Sequence, residues 1–264
     1  MREVCQTHSR LAEYPAIVLE PPYLKMHTSY YKMILFSGSE RISFLQGQLT
    51  QDVEKLHNAG SLPAAWCNPK GRVIVTAQLI NLDDVIGMAV PSAMIDTIVT
   101  RLIMYRLQAD VQIEIGDDNC VKDSFESAGM DVVDSPDIQQ WQQGRVAAGI
   151  VDIFSENSEQ YTPHMLNLDL IGAVSFDKGC YTGQEIVART ENLGKVKRRI
   201  NRYRLADCSA EIGDKLSDGD RDAGKIVNVG NNEVLAVTAV DQHGKMLRLG
   251  TGTATPLALP YKMP

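Results

Sequence analysis

Two glycines flank a cysteine in Lys178-Gly179-Cys180-Tyr181-Thr182-Gly183-Gln184-Glu185, and Ile186-Val187-Ala188-Arg189 follows directly. Glycines so placed let the backbone turn tightly and approach a ligand or another strand closely, and the nearby cations Lys178 and Arg189 favour a thiolate. A thiolate here is a candidate nucleophile or metal ligand. The same spacing also suits a small packed side chain in a glycine-dictated turn, so the segment by itself names no reaction.

The other thiols offer Cys180 no local partner. The five cysteines, Cys5, Cys67, Cys120, Cys180 and Cys208, are scattered and include no Cys-x-x-Cys pair. That usage points to reduced thiols in a cytoplasmic protein. A thiol oxidoreductase would need Cys67, Cys120 or Cys208 brought to Cys180 by the fold. The histidines, His8, His27, His57, His164 and His243, never recur at i, i+4, so the sequence supports no preformed zinc site.

Charge offers a second chemistry. Lys195, Lys197, Arg198, Arg199, Arg202 and Arg204 place six cations in ten residues. They could contact RNA phosphates or an acidic protein. The alternation Arg202-Tyr203-Arg204-Leu205 instead reads as the solvated face of a strand. The paired acids Asp83-Asp84 follow an apolar run, where acids usually cap or solvate a turn.

These residues need a scaffold. The chain has 264 residues, 44% of them apolar, and a formal net charge of −7, an ordinary globular composition for which no disulfide staple is required. No run of 18 apolar residues and no secretory leader is present in the sequence given, so neither a membrane span nor export is expected. Residues 1–194 carry 14 basic and 25 acidic side chains, whereas 195–264 carry 12 and 8, so the two parts differ in sign.

Residues 1–28, with Pro15, Pro21 and Pro22, read as a loosely ordered arm. A strand is expected over Tyr30–Phe36, then a helix capped by Ser39 with Ile42, Leu45 and Leu49 on one face. Leu62–Cys67 and Arg72–Ile80 read as a hairpin closed by Asn68-Pro69-Lys70-Gly71. A further short apolar run over Val85–Val90 precedes a helix capped by Ser92, with Ile95, Ile98, Val99, Leu102 and Ile103 as its buried stripe. Val111, Ile113 and Ile115 alternate as a strand. Helices among hairpins imply an α+β layer. From Arg198 onward, short segments over Arg202–Leu205, Lys225–Val229, Val234–Val240 and Met246–Leu249 suit a small β-barrel. The domains expected are the arm over 1–28, an α+β region over 29–194 and the barrel over 195–264.

The run Lys178 to Glu185, with Thr162-Pro163 and Asn167-Leu168 before it and Gly194-Lys195-Val196-Lys197-Arg198-Arg199 after it, closely resembles the YgfZ family of folate-binding proteins. That family is related to the T protein of the glycine cleavage system, an aminomethyltransferase. Phe44-Leu45-Gln46-Gly47-Gln48-Leu49-Thr50 and Ala64-Ala65-Trp66-Cys67-Asn68-Pro69-Lys70-Gly71 extend the resemblance over most of residues 30–205. It implies a T-protein-like folate-binding region with ferredoxin-like subdomains, followed by a small barrel. It also implies a role in assembly or repair of iron-sulfur clusters and an indirect effect on tRNA modification. Tetrahydrofolate or a derivative is the implied cofactor, with iron-sulfur enzymes or assembly proteins as partners and tRNA contact through Lys195, Lys197, Arg198 and Arg199.

By the same resemblance, Cys180 is the functional thiol, acting at the edge of a folate pocket lined by Tyr31 and Trp141. Lys178, Gly179, Tyr181, Gly183, Gln184, Glu185 and Arg189 build its motif. The chain departs from the family at Tyr31, where relatives have Trp, and at Ala147, where many carry a pterin-anchoring Glu. It departs from the T protein at Val75-Thr76, in place of paired aspartates, which disfavours a folate-dependent aminomethyl transfer. Residues 116–137 are short beside longer relatives, implying a trimmed second subdomain and a more open pocket.

Overall fold

The computed structural model describes residues 26–133 and 138–264, so Cys5 and nearly all of the expected N-terminal arm lie outside the described residues. A two-residue strand β1 (Met26–His27) leads into β2 (Tyr31–Ser37), the helices α1 (Arg41–Gln48) and α2 (Leu56–Ala59), and the strands β3 (Ser61–Cys67), β4 (Val73–Leu82) and β5 (Val85–Pro91). Helix α3 (Ile95–Arg106) and strand β6 (Gln112–Ile115) complete a five-stranded antiparallel sheet of order β3-β4-β5-β2-β6. The β3–β4 hairpin turns at Asn68 to Gly71: the Asn68 side chain accepts from the Lys70 and Arg72 amides.

Both faces of this sheet are covered, and the period of two in β2 sorts its side chains. Ile34 and Phe36 face α1 to α3, packing with Leu45, Trp66, Leu79 and Leu102. Tyr31 and Met33 face the other way, toward Phe125 and Trp141. That second face meets α4 (Asp118–Ser127), β7 (Val132–Val133) and α5 (Ile138–Ala148). β7 pairs with β1 in parallel, and this two-residue ladder is all the sheet that the middle of the chain forms among the described residues.

After a polar stretch and the helix α6 (Gln184–Leu193), the strands β8 (Arg198–Ala206), β9 (Lys215–Ser217), β10 (Asp222–Val229), β11 (Glu233–Ala239), β12 (Leu247–Leu249) and β13 (Gly252–Leu257) close into a barrel of order β10-β11-β8-β13-β12-β9. Tyr203, Leu216, Ile226, Val234 and Leu247 fill it. The α+β sheet followed by a small β-barrel matches the architecture read from the sequence. A separate apolar cluster joins Cys67 and Val73 of the first sheet to Leu166, Val187 and the barrel residues Ile200 and Val237.

Four local expectations change. Ser92 does not cap α3, because a short 3-10 turn over Ser92–Met94 intervenes and the helix starts from Met94 with no side-chain cap. Ile42 is 41% exposed because α1 buries Phe44 and Leu45 instead, and Leu49 lies past the helix end in extended backbone. In α3 the buried positions are Ile98 and Leu102, four apart, which turns Ile103 out to 46% exposure. Ser39 does not cap α1: its hydroxyl donates to Asp110 Oδ2 at 2.6 Å, tying the strand end to the β6 approach. No described helix is long and apolar enough to cross a membrane.

Candidate functional site

Tyr31 opens β2 and Trp141 sits one turn into α5, and the fold brings the two rings to 5.8 Å, edge to face. Both are buried, at 3% and 8% exposure. Tyr30 fills the space beside them, 4.4 Å from the Trp141 ring. Arg145, one turn after Trp141, lays its guanidinium 5.3 Å from the indole centroid and 5.8 Å from the Tyr31 ring.

Asp152 organises this cluster. Arg145 donates from Nε to Oδ2 and from Nη2 to Oδ1, each at 2.7 Å, and the Tyr31 hydroxyl donates to Oδ1 at 3.0 Å. Burial is the largest single influence and would lower the pKa of the guanidinium, but the Asp152 charge and hydrogen bonds together with the Tyr31 and Tyr30 phenols outweigh it and leave the group more firmly protonated than usual. Burial raises the Tyr31 phenol well above its ordinary value, so the hydroxyl stays a donor.

Two cavities meet at this ion pair. The first, about 270 Å3, is walled by Tyr31, Met26, Pro63, Ala64, Leu168 and Ile171, with Thr76 and Gln78 of β4 among its few polar groups. The second, about 450 Å3, opens between α5 and the β10–β11 turn. Tyr31 lines the first cavity, whereas Trp141 is not among the residues lining either and backs the tyrosines from behind.

The β4 position that the resemblance sets against the T protein's paired aspartates holds Val75-Thr76 and no acid. Val75 is fully buried, and the Thr76 hydroxyl donates to the Val151 carbonyl at 3.0 Å. Asp83 and Asp84 are exposed in the β4–β5 turn. Ala147 accepts from Arg202 through its carbonyl at 3.2 Å, and its methyl side chain carries no hydrogen-bonding group.

The cysteine motif lies elsewhere on the same scaffold. Cys180 is exposed and lines neither cavity. Lys178, expected to lend charge to the thiol, turns inward: its ammonium donates to the carbonyls of Gln46, Leu49 and Gln51 at 2.7–2.8 Å and lies 5.0 Å from the Tyr181 ring. Burial lowers its pKa to about 8. Arg189 reaches Glu185 at 3.4 Å, an exposed pair one helical turn apart, and Gln184 donates weakly to the Gly179 carbonyl at 3.4 Å. Gly183 starts α6 at φ +83°, pressed against the Asn68 carbonyl where no Cβ fits. The motif is thus a brace between α1, the β3–β4 turn and α6 that leaves Cys180 facing solvent.

No second exposed thiol accompanies it among the described residues: Cys67 is buried, which pushes its pKa up to about 12, and Cys120 and Cys208 are half-buried. His164, Asp169 and Glu191 place donor atoms within 4.8 Å of one another. Both Asp169 oxygens are already held by Arg199 at 3.0 and 2.7 Å.

That pairing also corrects the basic segment. Arg199 is buried against Asp169, and Arg202 packs half-buried against Glu233 at 2.6 Å instead of standing on a solvated face. Arg204 bonds the other Glu233 oxygen at 3.2 Å. Lys195, Lys197 and Arg198 remain exposed.

Sequence reasoning missed Asp152 and the pairing role of Arg145. The signal was there: Asp152 interrupts the apolar run Ile150-Val151-Asp152-Ile153, where a charge needs a partner.

No family model matches the chain. It is 26% identical to the tRNA-modifying protein YgfZ of Colwellia psychrerythraea, over 95% of this chain and 97% of the relative. It is 27% identical to that of Vibrio atlanticus over 79% of this chain and 80% of the relative. The chain is a relative of the YgfZ proteins. The aminomethyltransferase T of the glycine cleavage system from Bartonella henselae superposes with a TM-score of 0.69 at 13% identity, over 90% of this chain and 87% of that one. The chain therefore carries a T-protein-like fold, and its β4 contains no acidic residue.

Proposed function

We propose that this chain is a tetrahydrofolate-binding accessory protein that supports assembly or repair of iron-sulfur clusters, affecting tRNA modification indirectly. The reading is carried by the apolar 270 Å3 cavity walled by Tyr31 in a T-protein-like fold whose β4 offers Thr76 where a transferase would need a carboxylate. A flat ring with polar edges such as the pterin suits this cavity, its faces against the apolar wall and Tyr31, with Gln78 and Thr76 beside it. Trp141 supports the Tyr31 wall without touching the ligand. The Arg145–Asp152 pair supplies polar edges in place of the carboxylate missing at Ala147.

With no acid on β4 to stabilise an iminium, the folate acts as a bound effector or carbon carrier rather than as the substrate of aminomethyl transfer. Cys180, exposed on its brace, is the thiolate offered to an iron-sulfur client. One thiol is far short of the four that a cluster usually takes, so any cluster handled here shares ligands with the partner. That the similar proteins are tRNA-modifying proteins supports the link to tRNA, and Lys195, Lys197 and Arg198 are the exposed cations that could meet RNA.

Titration with tetrahydrofolate under reducing, anaerobic conditions tests the binding half: saturable binding supports it, and its absence overturns it. The second half is tested in cells lacking the native copy, by the activity of iron-sulfur enzymes. Cys180→Ser is expected to fail to restore that activity; full restoration would remove the thiol from the account.

A further inference from the structure

Arg145, Ile150 and Asp152 line both cavities, and beyond these the two linings share no residue. The larger cavity, about 450 Å3, therefore has its own chemistry. Its charged groups are one guanidinium, already gripped by Asp152, and the carboxylates of Asp152 and Glu156. With no surplus positive charge, a phosphate or the carboxylate tail of a folate gains no attraction there.

The remaining polar lining is mostly amides, each offering one acceptor and one donor group. Asn228 is the most constrained. Its Nδ2 donates to the Asp152 carbonyl at 3.1 Å, while its buried Oδ1 has no hydrogen-bond partner among the described residues. A buried acceptor of this kind calls for an N–H donor. Tyr30 and Phe154, also in the lining, stand at 89° with centroids 6.0 Å apart, so one can offer its face and the other its edge to a flat ring.

We propose that this cavity binds a nucleobase: an uncharged planar ring carrying ring N–H and amino groups, seated against Tyr30 and Phe154 and donating to Asn228 and Glu156. The base comes from a free nucleoside or from an unpaired position of an RNA strand, the chemistry being the same. The site stands apart from the folate reading.

The test uses the full chain, labelled with 15N, and follows the Asn228 side-chain amide while guanosine, cytidine or uridine is added. Guanosine, with adjacent ring N–H and amino donors, is expected to saturate and move that signal. Uridine, which has no amino group, is expected to bind at least about fivefold more weakly. Asn231→Trp, at the exposed rim, is expected to weaken guanosine at least about tenfold while thermal unfolding and tetrahydrofolate binding stay as in the wild type. A single-stranded oligoribonucleotide that binds the wild type and not Asn231→Trp identifies a strand as the source, and guanosine binding alone identifies the free nucleoside. No response of Asn228 to any nucleoside, equal affinity for uridine and guanosine, or unchanged guanosine affinity in Asn231→Trp overturns the proposal. Guanosine binding without tetrahydrofolate binding would sink the folate reading and leave this one standing.

Discussion

The Arg145 guanidinium grips both carboxylate oxygens of Asp152, and the two side chains are only 12% and 6% exposed. The pair ties α5 to the loop that follows it, holds the Tyr31 hydroxyl and forms the wall common to both cavities. Removing one partner leaves a buried charge uncompensated. Asp152→Leu is expected to cost about 3–5 kcal/mol in urea unfolding, and Arg145→Met added to it to recover most of that loss. A cost within about 1 kcal/mol for the single variant would mean that the pair is not holding the site together.

Lys178 makes stability depend on pH in a defined direction. Burial lowers its folded pKa to about 8 from an ordinary 10.5, so between those values the unfolded chain keeps a proton that the folded chain has released. Unfolding then takes up a proton, and raising the pH through that window stabilises the fold. The unfolding free energy of the wild type should therefore rise relative to Lys178→Met between pH 8 and about 10. A flat or falling difference contradicts the burial of this ammonium.

The two glycines beside Cys180 should answer differently to the same change. Gly183 has φ +83° and lies against the Asn68 carbonyl, whereas a Cβ on Gly179 would meet nothing within 4 Å. Gly183→Ala is expected to cost roughly 1–3 kcal/mol, and Gly179→Ala less than about 0.5. Thermal unfolding of the two variants side by side checks this, and equal losses would remove the brace argument.

Within the basic segment, Arg199 and Lys197 separate structure from surface. Arg199→Leu strands the Asp169 carboxylate and is expected to destabilise by about 3–5 kcal/mol. Lys197→Ala, at an exposed position, should stay within about 0.5. If RNA is retained by this segment, Lys197→Ala should instead lower retention and shallow its salt dependence, read by filter binding at two ionic strengths.

What could be read from the sequence depended on whether the cause was local. The β3–β4 hairpin announced itself because Asn68, Pro69 and Gly71 are turn residues between apolar runs, and the barrel because its strands are short and evenly broken. Tyr31 came through the family resemblance. Helix faces came out rotated at Ile42 and Ile103, since apolar spacing does not say where a short helix ends or what covers it. The partners of Arg199, Arg202 and Lys178 were not legible at all: Asp169, Glu233 and the carbonyls of Gln46, Leu49 and Gln51 lie 30 or more residues away in the chain and are brought near only by tertiary packing. Trp141 shows the same limit, because ring type alone does not say whether an aromatic lines a cavity or, as here, packs behind one.

The central claim is that the cavity beside Tyr31 holds a folate. Calorimetric titration of the reduced chain with tetrahydrofolate, repeated on Gln78→Trp and Trp141→Ala, tests it most directly. The account predicts one saturable site in the wild type, binding weakened at least about tenfold when Trp fills the cavity at Gln78 and less when the supporting Trp141 is lost. No saturable binding by the wild type, or unchanged affinity in Gln78→Trp, would contradict it.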